Sequence, residues 1–171
     1  LKSRETFILA NNWFMIFFLA TVLIGMLYPI FLDVLTNVKI SVGPPFFNIV
    51  IIPLVIPLLF LMAIGPKFGW VKSQNKIVKK ILFLILGATI INLFIFYFFG
   101  KYSLLSNLIF IAAIFLILHS ILEIIKFFNK KKKPELPRIV SHLGFGLLVF
   151  FIGINHQFSL EVDFNLKAGE I

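Results

Sequence analysis

Five runs of about twenty apolar residues, separated by short polar or basic stretches, set the rhythm of the 171-residue chain, at about residues 12–32, 46–64, 81–99, 104–125 and 139–154. A hydrocarbon layer about 30 Å thick takes roughly 20 apolar residues of helix to cross, so each run predicts a transmembrane span. The fifth is short and is expected to tilt little or to begin in the headgroup layer. Spans three and four are joined only by "GKYS" at 100–103, which predicts a tight helical hairpin. The tail "QFSLEVDFNLKAGEI" changes period: Phe158, Leu160, Val162, Phe164 and Leu166 alternate with polar residues, as in a strand with one buried face. A lone strand has nothing to pair with, so the sequence is expected to be a fragment continuing into an external β-rich domain. The fold class expected is an all-α polytopic membrane protein, with a helical bundle over 1–154 and the start of an external β segment over 155–171.

Composition agrees, since 60% of residues are hydrophobic and 13% charged, against about half and a quarter in soluble domains. The chain contains no cysteine, which excludes disulfides, thiolate metal sites and a cysteine relay run by this polypeptide alone. Its net charge of +9 has to be read by position relative to the spans. With the N-terminus cytoplasmic, segments 1–11, 65–80 and 126–138 are inside and hold two, five and six basic residues, 13 of the 16 Lys and Arg. Lys39, Lys101 and Lys167 remain outside, so the positive-inside rule puts the N-terminus in and the C-terminus out. The "KKKK" run at 130–133 reads first as a topological anchor, second as a site for anionic membrane lipid, and last as a nucleic-acid contact. Tyr28, Pro29 and Asp33 stand where a signal peptide would carry small residues before its cleavage site, so the first span reads as uncleaved.

Ionisable side chains within a bilayer cost about 2.5–3.5 kcal/mol at its centre on insertion scales, so each needs an explanation. His119 and Glu123 are four apart on one helix face, where they can bond to each other as an interfacial pair near the cytoplasmic headgroups. A proton relay, or a haem ligand at His119, is the functional alternative. Asn92 in mid-span is expected to hydrogen-bond a neighbouring helix. Asn11, Asn12 and Ser141 read as helix caps. In "KISVGPPFFN", 39–48, Gly43 offers an unusual backbone angle and Pro44 and Pro45 restrict theirs, which predicts a loop of one shape, either a rigid re-entry turn or a docking surface for an external partner.

His142 stands in "RIVSHLGFGLLVFFIGI", 138–154, with Gly146, Val149 and Gly153 at i+4, i+7 and i+11 on its face. A flat macrocycle needs an axial imidazole and an absence of side chains beside it, so Gly146 and Gly153 can form a haem-facing groove. The same small residues also suit plain helix–helix contact.

Several stretches together, "SRETFILANNW" (3–13), "LIGMLYPI" (23–30), "KISVGPPFFN" (39–48), "PLLFLMAIGP" (57–66), "SHLGFGLLVFFIGI" (141–154) and "FSLEVDFNLKAGE" (158–170), resemble the CcmF family of cytochrome c biogenesis proteins, in that family's order and spacing. The resemblance implies part of a haem lyase that attaches haem covalently to apocytochrome c on the outer side of the membrane. Partners implied are a haem-loaded CcmE-type chaperone, a CcmH-type thiol-handling subunit and the apocytochrome. It also implies a structural haem b held by two membrane histidines, thought to reduce the incoming haem iron, of which His142 in "SHLG" matches the second. The family's Trp-rich external loop, outer-face histidines and other haem ligand have no counterpart here, and by the family pattern they precede Leu1. No catalytic residue is therefore assigned, and the segment alone is not expected to be active. The membrane implied is the bacterial or mitochondrial inner membrane. A transporter using His119, Glu123 and Asn92, and a self-contained haem protein ligated by His119 and His142, are the competing readings.

Overall fold

The computed structural model describes residues 4–67, 76–99, 104–129 and 136–158. All five spans are helices: α1 (Arg4–Thr36), α2 (Pro44–Ile64), α3 (Lys76–Phe99), α4 (Leu104–Asn129) and α5 (Leu136–Phe158), with a 3₁₀ turn, Gly65–Lys67, closing α2. Each includes a stretch long and apolar enough to cross a membrane, and the described residues contain no strand. The protein is a multi-pass membrane protein.

The helices overrun the apolar runs that signal them, because hydropathy marks only the hydrocarbon-facing part while backbone hydrogen bonding continues into the headgroup layer. α1 has 33 residues, about 50 Å at 1.5 Å per residue, and begins at Arg4, so Asn11 and Asn12 lie inside it and are not caps. α5 has 23 residues and is not short; it begins at Leu136, which leaves Ser141 inside the helix and not capping it. It continues through Phe158, so residues 155–158 are helical. The rest of the expected strand, the "KKKK" run and the "GKYS" hairpin lie outside the described residues.

The 37–43 connection is also built differently from expectation. Gly43 has φ −107° and ψ −175°, an extended geometry open to any residue, and the two prolines begin α2 as its first helical residues. The left-handed position is Asn37, φ 55°, whose amide donates to the Asp33 carbonyl at 3.0 Å and ends α1 as a C-terminal cap.

α4 is the central helix: it packs on α5, α2 and α3, whereas α1 leans chiefly on α2. Phe115 and Leu116 of α4 join Leu59 and Ala63 of α2, Ala88 of α3 and Val149 of α5 in one core. Alanines at 63, 88, 112 and 113 let the backbones approach, as membrane helices require where water supplies no driving force between apolar faces. α1 is antiparallel to α2, with Gly25 under the Phe47 ring at one end and Gly65 against Phe7 at the other. In α1, Gly25 is the buried residue, and most of its large side chains are exposed to the surroundings.

Candidate functional site

His119, Glu123, Arg138 and His142 lie toward the end where α2 and α4 finish and α1, α3 and α5 begin. Glu123 of α4 is at the centre of one cluster. Lys67, on the 3₁₀ turn, donates to its Oε1, and Arg138 of α5 lies 3.2 Å from its Oε2. The carboxylate is 12% exposed, so one anion ties three elements together in a poorly solvated place. His119 and Glu123 do not bond to each other. Spacing along one helix shows that two residues share a face, but Glu123 has full cations from two other elements within reach. In the sequence Glu123 stands out as the only acidic residue between Asp33 and Glu135, but its partners do not, since one lies 56 residues away and the other on a different helix.

His119, one turn before Glu123, is 4% exposed, and neither ring nitrogen has a hydrogen-bond partner among the described residues. Asn92 behaves as predicted, its Nδ2 donating to Asn107 Oδ1 at 2.9 Å and joining α3 to α4.

His142 is half-buried on α5 and lines a cleft of about 480 Å³ between α1, the end of α2 and the start of α5. Leu58, Leu61, Met62 and Phe145 form apolar wall, and Arg4 and Arg138 line it as well. His142 Nδ1 is buried without a partner among the described residues. The glycines below it lie close to α4. A Cβ on Gly146 would come within 3.0 Å of Ile117 and one on Gly153 within 3.1 Å of the Phe110 ring, both on α4. Val149 is buried in the shared core. This stripe is the α4–α5 contact, and the space available to a ligand opens beside it, toward α1 and α2.

At the opposite end, Asn48 Nδ2 and His156 Nε2 are 2.9 Å apart, joining α2 to α5, a pairing the sequence reading did not anticipate because 108 residues separate the two. A second, mainly apolar cavity of about 230 Å³ lies beside them. Among the described residues no group of three or more His, Cys, Asp or Glu could hold a bare metal ion.

The chain is 31% identical to the cytochrome c-type biogenesis protein CcmF of Pseudomonas fluorescens over 183 residues, covering 99% of this chain and 27% of that protein. The CcmF of Escherichia coli K12 is 26% identical over 175 residues, with the same two shares. The chain belongs to the CcmF family. A 72-residue stretch is 43% identical to the cytochrome c-type biogenesis protein CycK of Rhizobium meliloti, covering 42% of the chain. No family model and no solved structure matches. This CcmF-family chain therefore spans about a quarter of the length of the curated CcmF proteins it matches.

Proposed function

We propose that this chain is part of a CcmF-type haem lyase, acting in covalent attachment of haem to apocytochrome c, and that His142 contributes one axial ligand to a structural haem b. The observation that supports the ligand assignment is that His142 lines a largely apolar cleft while its Nδ1 is buried and unpartnered among the described residues. Neutral imidazole is the usual haem ligand, and the second nitrogen of a ligating histidine ordinarily donates a hydrogen bond. The remaining residues fit such a group. Leu58, Leu61, Met62 and Phe145 offer apolar surface for a macrocycle, and Arg4 and Arg138 offer positive charge for its propionates. Among the described residues lining the cleft His142 is the histidine that would hold the group, and any further ligand would be supplied from outside the cleft. Gly146 and Gly153 do not line this cleft; Gly153 lines the second cavity at the other end.

When bound, haem b supplies one-electron chemistry toward the haem iron being attached. His142 orients the group, the apolar wall excludes water, and Arg138 is held at the rim through Glu123. The charge distribution supports a cytoplasmic N-terminus, which puts this cleft at the inner side of the membrane and the attachment chemistry at the outer. The partners proposed are the CcmE-type haem chaperone, the CcmH-type subunit and the apocytochrome, whose thiols supply the sulfur that this cysteine-free chain lacks. The membrane is a bacterial or mitochondrial inner membrane.

The test is the absorption spectrum and haem content of the purified full polypeptide with and without His142→Ala. Loss of the b-type spectrum at unchanged protein level is expected, and an undiminished spectrum in the variant would remove the assignment.

A further inference from the structure

His119 is, with Ser120, a buried polar group this function leaves unexplained, and its position on α4 suggests a task. Three contacts set the register of α4 against the antiparallel α5: Arg138 with Glu123, Gly146 with Leu116 and Ile117, and Gly153 with Phe110. Interpolating between the first two places His142 level with residues 119–121 of α4, the level of His119. His119 is also within electrostatic reach of His142, Glu123, Arg138 and Lys67. Both His119 ring nitrogens and His142 Nδ1 lack partners among the described residues. A buried polar atom without a partner is rare, and where space and polar neighbours allow, an ordered water commonly bridges such groups.

We propose that His119 is a positioning residue for His142: His142 Nδ1–H donates, through a bridging water, to a His119 nitrogen. Such a bridge selects the His142 tautomer with a free Nε2 lone pair. It also stops the ring from rotating and makes the imidazole a stronger donor. His119 does not line the cleft and is not assigned as a ligand.

The inference rests on the haem reading of His142, and the experiment separates the two. Haem content, haem affinity and midpoint potential are measured on the purified full polypeptide as wild type and as His142→Ala, His119→Leu and His119→Gln. His119→Phe stands in for the leucine variant if that one fails to insert. Removing the hydrogen-bonding ring is expected to weaken haem binding by about 10–100-fold. Haem that remains should have a more positive potential, because a weaker donor stabilises ferric iron less. His119→Gln, whose amide both donates and accepts, should stay within about twofold of wild type. Unchanged affinity and potential in His119→Leu would overturn the inference, as would equal losses in the leucine and glutamine variants, which would point to packing or direct ligation. Absence of b-type haem from wild type, or its persistence in His142→Ala, would instead sink the haem reading itself.

Discussion

Asn92 is 1% exposed in mid-span, and it is tolerated because Asn107 accepts its amide hydrogen. In a bilayer the alternative to that bond is a polar group against hydrocarbon, yet measured interhelical hydrogen bonds average only about 0.6 kcal/mol and reach about 1.7. A double-mutant cycle of Asn92→Leu and Asn107→Leu, read by unfolding in detergent, is expected to give a coupling energy in that range. Glu123 is under a stronger constraint because it is charged and has two cationic partners. Glu123→Gln keeps the shape but loses the ion pairs to Lys67 and Arg138, at an expected cost of about 1–3 kcal/mol. Melting temperature should fall, and it should fall further than for Lys67→Met, which leaves the Arg138 pair in place. Sequence alone made Asn92 legible because a mid-span amide has one cheap resolution, a neighbouring helix. It did not make Glu123 legible, because the competing cations reside on a turn 56 residues away and on a different helix.

Helix existence followed directly from hydropathy, since unpaired backbone in hydrocarbon costs several kcal/mol per group and a single span resolves that only as helix. Helix ends did not follow. Outside the hydrocarbon layer the apolar signal vanishes while the hydrogen-bond ladder continues, which is why α1 and α5 engulf the residues read as caps, Asn11, Asn12 and Ser141. The Gly146–Gly153 stripe had two meanings in sequence, ligand groove or helix contact, and only the side chains of α4 decide between them. Ile117 and Phe110 already occupy the space that a Cβ would enter. Gly153→Val should therefore overpack the α4–α5 interface and destabilise the bundle by about 1–3 kcal/mol. Gly144, which has nothing within 4 Å of a built Cβ, provides the control: Gly144→Ala should leave stability unchanged or raise it slightly. Equal effects at the two positions would mean that α5 does not seat against α4 as described.

The arrangement of the whole molecule concentrates charge and ligand-competent chemistry at one end, and it is the orientation of that end that gives the cleft a place in the cell. The cluster of Lys67, Glu123 and Arg138 and the cleft holding His142 are at the end of the bundle that, among the described residues, also carries Arg4, Lys79, Lys80 and Lys126. The Asn48–His156 pair marks the other end. The cleft itself was only half visible in sequence: His142 could be singled out, but the wall facing it is made by α1 and α2, whose approach depends on Gly25 and Gly65 meeting Phe47 and Phe7. Basic residues resist translocation, so orientation follows their asymmetry and can be measured directly. Because the chain contains no cysteine, a single Lys39→Cys or Lys79→Cys substitution gives one reporter thiol in it, at an exposed site at either end. In intact cells or spheroplasts a membrane-impermeant maleimide should label position 39, and it should reach position 79 only after the membrane is permeabilised. The opposite pattern would invert the bundle and put the His142 cleft on the same side as the apocytochrome. A haem held there could not act across the membrane from the attachment site, so the two-sided mechanism fails with that result even if His142 proves to be a ligand.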